Sequence, residues 1–229
     1  MKKCTQWLAV LILSIALLPT GVDAQKWKSK KTLNGEGPLV KKTLDVDNFE
    51  AIGVGLRATV YLTQGNNYSV EIEAQQNIID ELNKEVKNGS WSIGFDENIR
   101  VKDYKKATVW ITMPTIEAMA IGGSGDIIGE TPFKNLGDLK ISIGGSGNIS
   151  FAGDAEDLKM SIAGSGKIKA ENLKVDNAKV SIAGSGTTYI HVDDGDLDVS
   201  IAGSGKVFYK GKAGIKTSIA GSGSVSSID

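Results

Sequence analysis

The stretch from Ile201 to Val225, IAGSGKVFYKGKAGIKTSIAGSGSV, contains the phrase Ile-Ala-Gly-Ser-Gly twice, and the same phrase or a near copy occurs four more times upstream. The central serines are Ser124, Ser146, Ser165, Ser185, Ser204 and Ser222, at spacings of 22, 19, 20, 19 and 18 residues. A wobbling period near twenty points to a solenoid whose loops vary in length.

Alignment on that serine shows a repeat larger than the phrase. Three residues before it stand Ile121, Ile143, Ile162, Ile182, Ile201 and Ile219, and three after it Ile127, Ile149, Ile168, Thr188, Val207 and Val225. Seven before it, the last five copies carry Leu139, Leu158, Ala178, Leu197 and Ile215. Between these apolar positions lies a polar column, Ser142, Ser161, Ser181, Ser200 and Ser218. Alternation with period two and β-branched inner residues describes half-buried strands, and the glycine pairs describe corners. A unit of about 20 residues cannot bury its own apolar face, so successive copies must stack. The expected fold is all-β: a single-stranded parallel β-helix, expected to wind right-handed, with about 20 residues per rung.

The ends of the chain carry other signals. Residues 1–24 combine Lys2-Lys3, an apolar run from Trp7 to Leu18, Pro19 and a small-residue pattern at Val22-Asp23-Ala24, which is the grammar of a secretory signal peptide. An apolar run of 12 residues is too short to span a bilayer. The single cysteine, Cys4, precedes that run, so lipid anchoring is not expected, and its removal with the leader leaves no thiol or disulfide chemistry. The protein is expected to be exported to the periplasm or cell surface. The remainder balances 24 basic against 26 acidic residues, from totals of 26 and 27 less Lys2, Lys3 and Asp23. That balance gives no electrostatic footprint for nucleic acid. Residues 25–31, with Lys26, Lys28, Lys30 and Lys31 around Trp27, are expected to form a basic, flexible N-terminus.

Residues 32–118 lack the Gly-Ser-Gly phrase but alternate like strands, and 119–229 form the regular repeat region. One short helix is expected near 77–87, where Ile78, Ile79, Leu82 and Val86 have helical spacing, Asn77 is a plausible cap and Gly89 a stop. Trp91, Tyr104 and Trp110 fall in this half; exposed aromatics could stack on sugar rings, although core or cap positions are the commoner use.

The order of these features resembles the "putative auto-transporter adhesin, head GIN domain" family of Bacteroidetes envelope proteins. The residues that carry the resemblance are GEGPLVKKTLDVDNFEAIGVG, ATVWITMPTIEAMAIGGSGDI, the serial IxGSGxI copies and VFYKGKAGIKTSIAGSGSV. The resemblance implies an extracytoplasmic β-solenoid with an adhesin role and brings no catalytic residues with it. Autotransporters also carry a C-terminal membrane barrel, whereas this sequence ends at Asp229 after its last repeat, so any anchoring is expected from a partner.

Parallel β-helices often act on polysaccharides, which requires a basic residue beside Ca²⁺-binding acids or two placed carboxylates. Arg57 and Arg100 are the only arginines and both precede the repeats. Asp193, Asp194, Asp196 and Asp198 gather around Gly195, a density that could hold Ca²⁺ but without the spacing of an EF-hand. His191 is the sole histidine, and alternation with Ile190 and Val192 points it outward. The repeated serine is no nucleophile elbow, because Asp126, Asn148, Lys167, Thr187, Lys206 and Ser224 stand where that motif needs glycine. No residue is therefore assigned as catalytic, cofactor-binding or metal-ligating.

The function expected is non-catalytic binding of a glycan, matrix or protein partner by an exported solenoid. A carbohydrate-active enzyme using the Asp193–Asp198 corner, and a purely structural envelope component, are the alternatives. Terminal rungs expose strand edges, so a homodimer through them is also expected. Function should reside in what varies between copies, such as Asp126, Lys167, Lys206 and the 193–198 corner.

Overall fold

The computed structural model describes residues 30–228; the expected leader, Cys4 and the basic stretch as far as Ser29 lie outside the described residues. The chain forms a parallel β-solenoid of about six turns with about 20 residues per turn and one short helix. Each regular rung has a first face that leads into the Gly-Ser-Gly corner, a second face that leaves it, and a short third face that closes the turn.

The aligned positions are the stacked positions. Ile121 pairs with Ile143, Ile143 with Ile162, Ile162 with Ile182, Ile182 with Ile201 and Ile201 with Ile219. Ile127, Ile149, Ile168, Thr188, Val207 and Val225 form the matching column on the second face. Every member of both columns before the final rung is at most 2% exposed, and each fully buried isoleucine contributes roughly 1.5–3 kcal/mol. The strands Asn148–Gly164 and Lys167–Gly184 run unbroken from one corner to the next.

Chain order and stacking order part company before residue 118. Ala51–Val54 lies between Ser90–Ile93 and Ala118–Ile121, and Ala58–Gln64 lies between Ala107–Met113 and Asp126–Gly129. The chain therefore lays down one rung at 51–64, travels outward to build a second at 90–113, and returns over the first to begin the repeats. Beyond the outer rung, Ser69–Gln75 and Leu39–Thr43 add antiparallel strands to the second face. Lys31–Asn34 pairs with Ile99–Asp103 in a separate two-stranded sheet.

The helix is shorter than its periodicity suggested. It covers Gln76–Asp80, buries Ile78 and Ile79, and begins after Gln75 without a side-chain cap. Asn77 instead ties down the N-terminal segment, accepting from the Glu36 amide at 3.0 Å and donating to the Asn34 carbonyl at 2.6 Å. Val86–Lys87 is a strand paired with Ser90–Trp91. Asn88 and Gly89 both have positive φ, 51° and 72°, which is the signature of a two-residue hairpin turn. The hairpin signal outweighed the helical spacing at the far end of this segment. Trp91 is fully buried against Phe49, with ring centroids 5.5 Å apart, and donates to the Asn83 carbonyl at 3.1 Å.

Candidate functional site

The Gly-Ser-Gly corner explains its own repetition. The amides of Ser165, Ser185 and Ser204 each donate at 2.9 Å to a glycine carbonyl of the preceding rung, and Lys167, Thr187 and Lys206 do the same at 2.9–3.0 Å. The ladder thus continues around the bend, while the serine side chains face solvent. Gly186 is buried in the bend, and a Cβ there would stand 2.6 Å from Ile162 Cγ2. The phrase is architectural, and six equivalent exposed serines offer no single activated hydroxyl.

The bend places the variable residues on the outside of the second face. Asp126, Asn148, Lys167, Thr187, Lys206 and Ser224 stack in one register column, joining the three residues singled out from the sequence. Two residues further along each strand runs a second outward column that the repeat alignment did not single out: Trp110, Tyr61, Ile128, Ser150, Lys169, Tyr189 and Phe208. Tyr61 and Trp110 stack at 6.2 Å with planes 15° apart, and Tyr189 and Phe208 at 5.0 Å with planes 20° apart. All four rings are half-buried. Tyr189 and Phe208 sit at the same offset from Ser185 and Ser204, a signal the sequence contained. Tyr61 and Trp110 became legible only once their rungs had been placed.

Charges are fixed at one end of this face and open at its middle. Lys41 lies 4.5 Å above the Trp110 ring and 2.9 Å from Glu71. Lys106 pairs with Asp126 at 2.7 Å, and Asn148 donates to the same carboxylate at 2.9 Å. Burial pushes the Asp126 carboxyl up, but the hydrogen bonds from Asn148 and Lys106 and the lysine charge outweigh it and hold the group below its ordinary value. Between the two aromatic pairs lies a depression of about 250 Å³ lined by Asp126, Ile128, Asn148, Ser150, Lys167 and Lys169.

The remaining sequence candidates are scattered. Trp91 is core, and Tyr104 accepts from the Arg57 amide at 2.5 Å and is not a member of the aromatic column. Asp193 pairs with Lys174 at 2.5 Å; that hydrogen bond first, and the lysine charge with it, hold the carboxyl below its usual range. Asp198 lies 3.9 Å from Lys179, and the Asn177 side chain accepts from the Asp196 amide at 3.1 Å. Among the described residues, no group of three or more His, Cys, Asp or Glu side chains is placed to hold a metal ion. His191 points outward between buried Ile190 and Val192. A wider depression of about 470 Å³ follows the corner between the third and first faces, where Asp138, Asp157 and Asp196 alternate with Lys140, Lys159 and Lys179. No aromatic side chain lines it.

Solved structures share this architecture. A "putative adhesin" from Bacteroides fragilis is 23% identical, with 86% of this chain and 100% of that chain covered and a TM-score of 0.68. A "putative lipid binding protein" from Parabacteroides distasonis is 22% identical over 87% of this chain and 100% of its own, with a TM-score of 0.56. A "putative adhesin" from Parabacteroides merdae gives 23%, 87%, 100% and 0.54 in the same terms. At these identities the likeness shows the fold alone. No curated protein matches the chain. The family model described as "Putative auto-transporter adhesin, head GIN domain" matches residues 48–213, from the first laid-down rung to the penultimate repeat, and the chain belongs to that family.

Proposed function

We propose that this chain is an exported, non-catalytic, adhesin-like protein that binds a glycan on the outside of its second face. The observation that carries the reading is the column in which two stacked aromatic pairs flank a shallow polar depression. Stacked on each other, the half-exposed rings offer apolar edges and uncovered ring margins to sugar C–H groups, and the neighbouring Asn, Ser, Thr and Lys side chains supply the hydrogen bonds that orient hydroxyls. The face is open rather than cleft-like, which suits retention of a polymer better than enclosure of a reacting bond.

A glycan array followed by variants tests it. Tyr189→Ala combined with Phe208→Ala is expected to weaken binding by about tenfold in a protein that still unfolds cooperatively, at a melting temperature lowered by the loss of the cross-strand pair. Appearance of new reducing ends in the bound glycan would favour the carbohydrate-active alternative. Unchanged binding in the double variant would place the ligand elsewhere.

The final rung forms part of the proposal. Among the described residues Gly214–Gly221 pairs only with Asp196–Gly203, and its Ile215 and Ile219 are each 41% exposed. A second copy of the chain meets this edge, giving a homodimer.

A further inference from the structure

We infer that the second face is built for a linear acidic glycan laid along the solenoid axis, an inference that rests on the glycan reading above. Lys167 and Lys169 project from one strand and Lys206 from a rung two positions on. Among the described residues none of these three has a carboxylate within ion-pair distance. The one carboxylate in the depression, Asp126, is already engaged by Lys106 and Asn148. The middle of the face is therefore locally cationic on a chain whose net charge is −1.

Spacing selects a polymer over a small anion. Successive strands are about 4.8 Å apart, so the four steps from Tyr61 to Tyr189 cover about 19 Å. The lysines lie within and just beyond that interval, alongside the aromatic column. A single small anion could meet one or two of them. A sugar chain bearing a charge at regular intervals meets all three while its rings rest on the aromatics at either end. Lysine, a point charge on a flexible stem, accepts carboxylate or sulfate from many directions, which suits a repeating ligand without fixed bidentate geometry. The aromatic pairs supply what charge alone would not, apolar contact with the C–H groups of a sugar ring.

The test is binding of the purified protein to polygalacturonate and to heparin, each against its neutralised form, methyl-esterified or desulfated. The acidic form of at least one pair is expected to bind about tenfold tighter at low ionic strength, with the difference falling steeply as salt is added. Lys167→Gln with Lys169→Gln is expected to remove most of that difference, lowering affinity for the acidic form far more than for the neutral form, with which glutamine can still hydrogen-bond. Equal affinity for acidic and neutral forms would overturn the acidic preference and leave the glycan reading standing. Binding of none of the four would overturn both. A single-stranded oligonucleotide held as tightly as the acidic glycan would show that charge alone is read, and would also overturn the inference.

Discussion

Thr188 is the one polar member of the second-face core column. It is fully buried between Ile168 and Val207, and its hydroxyl oxygen has no hydrogen-bond partner. A buried hydroxyl without a partner costs about 1–3 kcal/mol, and valine has nearly the same shape. Thr188→Val is therefore expected to stabilise the fold and raise the melting temperature by a few degrees, at about 2–4 °C per kcal/mol for a chain of this size. Calorimetric scans of the two proteins check it, and a lower melting temperature would show that the hydroxyl is satisfied after all. Nothing around Thr188 explains why a hydroxyl stands there. At this scale the core was legible because period-two alternation names inward residues directly, and Thr188 fell in the right column despite its polarity. The outward residues were only half legible. Asp126, Lys167 and Lys206 stand out as differences at one aligned position. Trp110 and Tyr61 belong to rungs that the phrase does not mark.

Those unmarked rungs continue the repeat columns without the Gly-Ser-Gly phrase. Val54 and Ile93 occupy the same column as the six aligned isoleucines, so the stack is longer than the phrase count. The segment from Val54 to Val60 keeps the spacing of Ile121 to Ile127 and pairs with it end to end. Its bend is Gly55-Leu56-Arg57, with Leu56 buried at 6% exposure where the repeats use small residues. After Ile93 the chain inserts residues 94–106 before the second face resumes. Neither bend resembles Gly-Ser-Gly, although the Ile-x₅-Ile spacing survives in the first. Where the phrase does occur, its glycines are required for different reasons. Gly184 has φ of 125°, and a Cβ on it would lie 2.4 Å from the Gly164 carbonyl oxygen; Gly186 faces the Ile162 side chain. Gly184→Ala is accordingly expected to destabilise by at least about 2 kcal/mol, whereas Ser185→Ala should stay within about 0.5 kcal/mol of the parent as an exposed substitution. Denaturant titration of the pair measures both values, and a costly serine with an indifferent glycine would refute the architectural account of the corner.

The two ends of the whole molecule are unlike. At the N-terminal end the second face finishes in the edge strand Leu39–Thr43, which carries Lys41 and Lys42; edge lysines discourage further pairing. The helix, the Trp91 hairpin and the small two-stranded sheet cover the rest. The C-terminal rung has no comparable cover among the described residues, and Gly214–Gly221 is exposed along its full length. Head-to-tail stacking would need an open edge at both ends, so an isologous contact between two final rungs is the arrangement that closes. Antiparallel pairing centred on Thr217 sets Ile215 of each copy opposite Ile219 of the other and Lys216 opposite Ser218. Apolar residues then meet apolar ones and no like charges face each other. The expected behaviour is a concentration-dependent dimer in sedimentation equilibrium that salt does not dissociate, because backbone hydrogen bonds and aliphatic contact hold it. Ile219→Lys should give a monomer that still folds, with only a modest fall in the melting transition of the isolated chain, since Ile219 is 41% exposed there and a lysine stem can cover Ile201 in its place. A dimer also joins two second-face ladders into one particle, so the same variant should weaken retention of a long glycan far more than of a short one through loss of avidity. A parent protein that sediments as a monomer at every concentration would remove the dimer and the avidity with it, and leave each ladder as an independent site.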